Sequence, residues 1–255
     1  MRLPRLLLVM VLALPVYLAA PASAQIALGH SGFTVSGSVA YQSDYLFRGI
    51  SQTASRMAGQ GSIELSHESG FYIGAFISNV YFPPAGAFPQ RAEIDGLIGF
   101  RFTALDINFD IGGVWYTYHG QQTGFPRLNY AEAVVKAARE FGPVTATLTL
   151  AFSPNFFGSS GFGFYSELAA EWATGLLDLN LGGRVGYQHI ARTAVFGAPS
   201  YSNWAITISR SFEISGYGTL VASVGYYDTS IGRASCFGGM NVCAARALGS
   251  LTFKF

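Results

Sequence analysis

Residues 33–48 read FTVSGSVAYQSDYLFR, a stretch in which large apolar residues recur at alternate positions. A period of two is typical of a β-strand, whose successive side chains point to opposite faces. Gly37 and Ser43 interrupt the apolar phase without shifting it. The stretch therefore predicts a strand with one apolar and one polar face. The apolar phase holds Phe33, Val35, Val39, Tyr41, Tyr45 and Phe47, and the polar phase holds Thr34, Ser36, Ser38, Gln42, Asp44 and Arg48.

The same alternation continues along the chain to its last residues. Ile94 and Ile98 alternate with Glu93 and Asp95. After the Gly112-Gly113 pair the apolar phase shifts, and we predict a β-bulge there. In that interpretation the apolar face continues through Val114, Tyr116 and Tyr118.

Residues 131–140 (AEAVVKAARE) are rich in strong helix formers. We nevertheless predict a strand with Glu132 and Lys136 on its polar face. A short helix would leave an odd strand count and an open sheet edge, which a membrane barrel does not tolerate.

The composition favours a membrane barrel over the other classes. Hydrophobic residues make up 50% of the chain and charged residues only 11%. Beyond residue 24, however, no apolar run approaches the ~20 residues of a membrane helix. The 31 glycines and 15% aromatic residues fit a barrel with a lipid face and aromatic girdles. A soluble β-sandwich would carry more surface charge. Of the 15 basic residues, Arg2 and Arg5 lie in the first 24 positions, which leaves 15 − 2 = 13 basic against 14 acidic residues and no basic excess for nucleic acid.

The first 24 residues are typical of a secretory signal peptide. Arg2 and Arg5 precede an apolar run from Leu6 to Leu18, and the Ala22-Ser23-Ala24 motif marks a cleavage site. An uncleaved anchor helix is the weaker alternative, because the run is short for a membrane span. We therefore expect export and a mature barrel domain of residues 25–255.

Turn-forming segments divide the mature chain into about twelve antiparallel strands, so the predicted fold class is an all-β transmembrane barrel. Short and long links alternate, starting and ending with a long one. Short periplasmic turns and longer extracellular loops are the rule in bacterial barrels, so both termini are expected in the periplasm. The short links are His67–Gly70, Thr103–Ala104, Glu140–Pro143, Ala173–Leu176 and Ser211–Gly216, and the longer ones are Gly49–Arg56, Tyr81–Gln90, His119–Leu128, Ser153–Gly161, His189–Pro199 and Thr229–Ala244.

Part of the opening stretch resembles a known family. Residues 36–52 (SGSVAYQSDYLFRGISQ), 65–71 (LSHESGF) and 78–80 (SNV) are similar to the TorF-type porin family of proteobacterial outer-membrane proteins. The most specific string is S-D-Y-x-F-R-G-I-S-Q at residues 43–52, with Leu46 at the variable position. The closing LTFKF and the two cysteines before it are also similar. The resemblance implies a porin-like barrel in the outer membrane and no catalytic residues.

The end of the chain carries two further features. Phe253 and Phe255 end an alternating strand, and they resemble the signal read by the barrel-assembly machinery during insertion. Cys236 and Cys243, with six residues between them, are the only cysteines. In an exported chain they predict a disulfide. A metal or redox pair is the minor alternative, because the spacing is not C-x-x-C and no His is near in sequence.

His119 and His189 are the candidates for catalysis, since both fall where a strand meets an extracellular loop. No G-x-S-x-G motif surrounds any serine. Rim polar residues are the simpler interpretation, because hydrolysis needs a positioned triad. The possible partners at the rim are Ser43, Asp44, Ser202 and Asp228.

Charged residues on the polar phase are the stronger functional candidates. At the bilayer midplane a lipid-facing Arg or Lys costs ~2–4 kcal/mol, so these residues are expected to line the lumen. They would form either a plugging salt-bridge network or a charged constriction that sets ion selectivity. Nine carboxylates against five bases favour cations. The predicted lining residues are Arg48, Glu64, Arg91, Glu93, Asp95, Arg101, Glu132, Lys136, Glu167, Glu171 and Arg184, with Asp106, Asp110 and Asp178 on the same phase.

We therefore expect a narrow outer-membrane channel for passive diffusion of small solutes or ions, monomeric or weakly oligomeric, without a cofactor. Its expected partners are outer-membrane lipid, the assembly machinery and the solutes, with no nucleic acid and no metal. The alternatives are a lipid- or peptide-hydrolysing enzyme of the outer membrane and a closed structural or surface-binding barrel.

Overall fold

The computed structural model describes residues 25–82, 91–120 and 128–255, and within them twelve antiparallel strands form one closed barrel. The predicted signal peptide lies outside the described residues. Among the described residues, no helix is long and apolar enough to cross a membrane. The barrel strands are β1 (Phe33–Gln42), β2 (Ala58–His67), β3 (Phe71–Asn79), β4 (Ala92–Ala104), β5 (Ile107–His119), β6 (Tyr130–Phe141), β7 (Val144–Ser153), β8 (Gly163–Ala173), β9 (Leu179–Ile190), β10 (Tyr201–Ile214), β11 (Gly218–Thr229) and β12 (Arg246–Lys254).

Side chains alternate between an apolar outer face and a polar lumen, as the sequence predicts. Val39, Ile98 and Ile206 are 61–65% exposed on the outer face. A surface so rich in exposed apolar side chains fits lipid rather than water. On β1 the opposite phase, which includes Ser36, Ser38 and Gln42, is buried inside the barrel. The chain is therefore a membrane-spanning barrel of the outer-membrane type.

The barrel has one end with short turns and one end with long connections, as predicted. The start of β1 and the end of β12 both lie at the short-turn end, which is the periplasmic end by the rule for bacterial barrels. Two of the turns fall where the sequence predicts strand residues. Leu105 and Asp106 both have φ near +57°, and so do Leu177 and Asp178 near +55°. Two consecutive left-handed residues are typical of a tight hairpin turn, so Asp106 and Asp178 lie in turns and do not line the lumen.

The predicted bulge at Gly112-Gly113 is wrong. β5 pairs with β4 and β6 in one unbroken register, in which Gly99 faces Gly112. Val114, Tyr116 and Tyr118 therefore keep the inner phase and are buried inside the barrel. The sequence prediction places these three side chains on the lipid face because it assumes that the whole lumen is polar. This part of the lumen is lined by apolar and aromatic side chains.

The ambiguous segment at residues 131–140 is confirmed as a strand. It belongs to β6, which pairs with β5 on one side and β7 on the other. Glu132 lies on the inner face and is 3% exposed, with Lys136 on the same phase, whereas Ala133 is exposed on the outer face. Packing between two neighbours therefore overrides the helix propensity.

Barrel closure explains why Gly37 interrupts the apolar phase. β1 pairs with β2 along its whole length and with β12 over residues 38–42. Beyond β12, Phe255 exchanges two backbone hydrogen bonds with Gly37, of 2.8 and 3.0 Å. A Cβ at Gly37 would lie 2.7 Å from the Phe255 ring. The ring of Phe255 thus covers the glycine on the outer face, next to Phe253.

Candidate functional site

The first extracellular connection, residues 43–57, folds into the barrel, and we call it the inward loop. β1 ends at Gln42, and a small hairpin follows in which Leu46 pairs with Ser51. Tyr45 is only 2% exposed, and Leu46 and Ile50 are also buried. The prediction that Tyr45 and Phe47 face lipid is therefore wrong. The strand ends before them, so its phase no longer applies.

Hydrogen bonds inside the inward loop centre on the carboxylate of Asp44. Its Oδ1 accepts from the hydroxyls of Ser51 at 2.6 Å and Thr53 at 2.7 Å. Its Oδ2 accepts from Nη1 of Arg246 at 2.6 Å, which ties the loop to β12. A further backbone bond runs from Ser51 N to Val242 O at 2.8 Å. Because Asp44 is buried, these donors replace the water that an isolated carboxylate would need.

Arg48 extends from the tip of the inward loop to the far wall of the lumen. Its Nη1 and Nη2 donate to Glu132 on β6 at 2.9 and 2.7 Å, and Nη1 also donates to Gln188 on β9 at 2.7 Å. The guanidinium lies 4.1 Å from the ring centre of Tyr165. Such a bidentate, stacked arrangement requires the planar fork of Arg. The side chains of Arg48 and Glu132 are 9% and 1% exposed, so the ion pair is buried.

Gly49 permits the turn that delivers Arg48. Its φ is +83°, a conformation that favours glycine. A Cβ at this position would lie 2.6 Å from Cγ2 of Thr229 on β11. The tip of the inward loop therefore packs directly against the barrel wall.

Tyrosine rings fill the lumen around the inward loop. Tyr116 and Tyr130 stack at 4.4 Å between ring centres. The hydroxyl of Tyr45 donates to Glu93 at 2.9 Å. Oε2 of Glu93 and Oδ1 of Asp95 are buried and have no hydrogen-bond partner among the described residues. We call this section, lined by Tyr45, Glu93, Tyr116, Tyr130 and Glu132, the upper lumen.

Residues of the other extracellular connections cover the upper lumen with aromatic rings. Phe156 and Phe157 come from the connection after β7, and each contacts Phe196 on α1 (Thr193–Phe196). Phe237 packs against Phe196 in turn. The upper lumen and this cover form one hydrophobic cluster, so the extracellular end of the barrel has an apolar core.

Nearer the short turns, charged side chains form a belt around the inner wall. Arg101 donates to both carboxylate oxygens of Glu64, at 2.6 and 2.7 Å. Its Nε also donates to Asp110 at 3.1 Å. Lys136 is the cross-strand neighbour of Asp110. We call this section the charged belt; it is lined by Glu64, Arg101, Asp110, Lys136, Glu167 and Arg184.

Two of the predicted lining residues lie outside both the upper lumen and the charged belt. Arg91 precedes β4 and is exposed at the extracellular end, so its role in lining the lumen stays a prediction. Glu171 lies on the inner face near the short turns and interacts electrostatically with Lys254. The other predicted lining residues lie on the inner face, either in the upper lumen or in the belt.

Sequence reasoning missed the aromatic part of the lumen, which includes Tyr45, Tyr116, Tyr118 and Tyr130. The sequence signal that could have identified these residues is the alternation of inner and outer positions, which continues without interruption through Gly112 and Gly113. Tyr116 and Tyr118 keep the parity of Asp110, which faces inward because its carboxylate avoids lipid.

Cys236 and Cys243 form a disulfide in the last extracellular connection. In the same part of the chain, Thr229 donates to the carbonyl of Cys243 at 2.7 Å. Within the described ranges, no group of three or more His, Cys, Asp or Glu side chains is placed to hold a metal ion.

The two rim histidines are not assembled into a triad. His119 is exposed, and its Nε2 lies 3.0 Å from the hydroxyl of Thr117. His189 is also exposed, and its ring lies 6.3 Å from that of Phe162. Asp44 is bound to Ser51, Thr53 and Arg246 instead.

Together, the closed sheet, the lipid-facing surface and the polar lumen define an outer-membrane β-barrel of twelve strands. The chain belongs to the Gcw_chp family, described as "Bacterial protein of unknown function", whose pattern matches residues 26–253.

Solved structures with a similar fold include two porins. The KdgM porin superposes with a TM-score of 0.53 at 8% identity, covering 86% of this chain and 99% of its own. The NanC porin superposes with a TM-score of 0.52 at 7% identity, covering 87% and 98%. At these identities the likeness concerns the fold. No curated protein sequence matches the chain significantly.

Proposed function

We propose that this protein is a narrow channel for passive diffusion of small solutes or ions across the outer membrane. The observation that carries the proposal is the inward loop, which crosses the lumen and is held on the far wall by the contacts of Arg48 with Glu132 and Gln188. A loop folded into a barrel narrows the passage and so determines the size of solute that can pass. The similarity in fold to proteins named as porins supports the same function.

The charged belt supports a water-filled path below the inward loop. Side chains of Glu64 and Arg101 are 17% and 19% exposed, although they point into the barrel. Small polar residues such as Ser62 and Thr149 on the inner wall are also partly exposed. Water inside the barrel is the medium in which a small solute diffuses.

The lumen carries more acidic than basic side chains, so we propose a weak preference for cations. Ten carboxylates and seven bases lie on the inner phase of the strands or in the inward loop. The carboxylates are Asp44, Glu64, Glu93, Asp95, Asp110, Glu132, Glu140, Glu167, Glu171 and Glu213, and the bases are Arg48, Arg56, Arg101, Lys136, Arg184, Arg246 and Lys254.

The proposal includes a route to the membrane. The predicted signal peptide at residues 1–24 directs export, and Phe253 and Phe255 act as the signal for the barrel-assembly machinery. Outer-membrane lipid then surrounds the apolar outer face. Catalysis plays no part in the proposed function.

Single-channel recording in planar bilayers tests the proposal. We expect small discrete current steps from the purified protein, and larger steps from a variant in which residues 44–56 are replaced by a short Gly-Ser linker. The matched control is the His119→Ala/His189→Ala double variant, which alters the rim and leaves the inward loop intact. Its steps should equal those of the unaltered protein. Absence of discrete steps from both the unaltered and the loop-replaced protein would favour the closed-barrel alternative and overturn the proposal.

A further inference from the structure

Arg184, in the charged belt, has hydrogen-bond donors that no described residue uses. Its side chain is only 13% exposed. Its Nε is buried and has no partner. The closest acidic atom is Oε2 of Glu167, 3.7 Å from Nη1, which is beyond hydrogen-bond distance. Buried donors without a partner are rare in folded proteins, so this one needs an explanation.

Glu167 does not satisfy Arg184, and its carboxylate instead contacts Tyr165. Its Oε2 accepts a hydrogen bond of 2.7 Å from the hydroxyl of Tyr165. Tyr165 in turn packs against Arg48 at the tip of the inward loop. Glu167 therefore leans towards the upper lumen, and Arg184 is left with a charge partner but no hydrogen bond.

A small cavity lies beside Arg184 on the inner wall. It runs across β8, β9 and β10, where Arg184 faces Ala169 on one side and Ala205 on the other. The next row down places Gly182 between Glu171 and Thr207. The small side chains of Ala169 and Ala205 leave space beside Arg184, whereas the Thr207 hydroxyl already occupies the space above Gly182.

Charge around the cavity is balanced within the belt. Glu171, which also lines it, interacts electrostatically with Lys254. Lys136 interacts electrostatically with Asp110 and Glu167. The acidic excess of the lumen instead lies above the belt, at Glu93 and Asp95. An anionic group is therefore tolerated here despite the overall lean towards cations.

We infer that the cavity beside Arg184 is a subsite for the carboxylate group of a small solute. A guanidinium matches the planar geometry of a carboxylate, and a charged pair of this kind is stronger than a neutral hydrogen bond. The hydroxyl of Thr207 supplies a further donor at the cavity wall. This inference deepens the proposed channel function by naming a solute class, and it depends on that function for its biological use.

Saturation-transfer NMR on the purified barrel in detergent tests the subsite without requiring conduction. The probes are acetate and acetamide, which are nearly isosteric and differ in charge. We expect a signal from acetate that is at least about tenfold weaker for Arg184→Gln, since a charged hydrogen bond contributes that much to affinity. Acetamide should give little signal with either protein.

Arg210 provides a matched control on the neighbouring strand. It also has an Nε without a partner and a long ion pair, 3.5 Å from Asp178, but its side chain is 43% exposed and lies outside the lumen. Arg210→Gln should therefore bind acetate as the unaltered protein does. Equal losses for Arg184→Gln and Arg210→Gln would overturn the subsite, and so would equal signals from acetate and acetamide.

Two further variants guard against misfolding of Arg184→Gln. Arg184→Lys retains a positive charge opposite Glu167 and removes the Nε donor, while Thr207→Val removes only the hydroxyl. Both should weaken acetate binding in a barrel whose circular dichroism is unchanged, and unchanged binding in both would contradict the inference. Acetate binding by a protein that shows no channel steps would refute the channel proposal alone. Channel steps without acetate binding would refute the subsite alone.

Discussion

The upper lumen and the charged belt occupy the same barrel but are organised in opposite ways. In the upper lumen, the inward loop and tyrosine rings leave little room for water, and the ion pair of Arg48 with Glu132 is 9% and 1% exposed. In the belt, Arg101 and Glu64 form an equally short pair that is 19% and 17% exposed. Two similar Arg–Glu ion pairs therefore differ in hydration: the pair in the upper lumen is nearly dry, and the pair in the charged belt is in contact with more water.

This difference between the two sections indicates where the barrel restricts the passage of solutes. A buried ion pair loses its water and depends entirely on its partner, so removal of one member is costly. When one member of an ion pair in contact with water is lost, water can solvate the remaining charge. The inward loop is therefore the element that determines whether the barrel is open, and the belt acts on what enters.

Substitution Arg48→Met should have the largest effect. It leaves Glu132 buried without its cation, which costs about 3–5 kcal/mol for a broken buried pair. This cost destabilises the conformation in which the inward loop is docked inside the lumen, so the loop should leave the lumen. We expect a several-fold larger single-channel conductance and faster hydrogen exchange over residues 43–57.

Arg56→Met is the control for this substitution. Arg56 belongs to the same loop, but it is exposed and stacks on Tyr81 at 3.8 Å. Its loss should leave the conductance unchanged. The double variant Arg48→Met/Glu132→Gln should dock better than Arg48→Met alone, because no charge is then stranded. If Arg48→Met conducts like the unaltered protein, the loop is not the constriction.

The alternation of residues was sufficient to predict the barrel, and the turn-forming segments were sufficient to predict its strand count. Each strand faces lipid on one side, and lipid imposes a local rule on every second residue. The inner face obeys a different rule. Tyr116 packs against Phe47 of the inward loop, and Tyr118 packs against Phe82 and Phe157 of other extracellular connections. Aromatic residues therefore occupy the inner phase here, and apolar character no longer identifies the lipid face.

The contacts of the inward loop could not be predicted from the sequence. Arg48 meets Glu132 and Gln188 across 84 and 140 residues of chain. No periodic pattern encodes such pairings, because they depend on how the closed barrel brings distant strands together. The string at residues 43–52, on which the family resemblance rests, indicates that this segment is distinctive. It does not reveal that the segment turns inward.

Gly49→Ala should have the next largest effect. Alanine would have to adopt a φ of +83° and would also clash with Thr229, whose Cγ2 lies 2.6 Å from the new Cβ. We expect about 1–3 kcal/mol of lost docking free energy from strain of this kind, measured as faster hydrogen exchange of the inward loop.

Gly142→Ala separates the cost of the backbone conformation from the cost of the clash with Thr229. Gly142 also has a positive φ, +62°, but no atom lies within 4 Å of its Cβ position. It should show only the cost of the backbone conformation, ~1 kcal/mol. Equal free-energy losses in the two variants, each measured by hydrogen exchange of the segment that carries the substitution, would mean that Gly49 does not pack against the wall.

Reduction of the disulfide should have a smaller effect on the upper lumen. The bond closes a short ring, worth at most about 2.5 kcal/mol in the loop-entropy model. The backbone bond from Ser51 to Val242 and that from Phe237 to Gly197, both 2.8 Å, remain after reduction. We expect a modest increase in current flicker with dithiothreitol and an unchanged mean conductance. The Cys236→Ser/Cys243→Ser variant should behave like the reduced protein and show no response to dithiothreitol.

Arg101→Met should have the smallest effect on stability, and it tests the belt side of the comparison. Glu64 regains contact with water, and Asp110 retains the hydrogen bond of 2.7 Å from Tyr72. We therefore expect a loss of about 1–2 kcal/mol in unfolding by denaturant, below that of Arg48→Met. The released carboxylates should instead increase the preference for cations, measured as a shift of the reversal potential in a salt gradient. A loss of stability as large as that of Arg48→Met would show that the belt is as dry as the upper lumen.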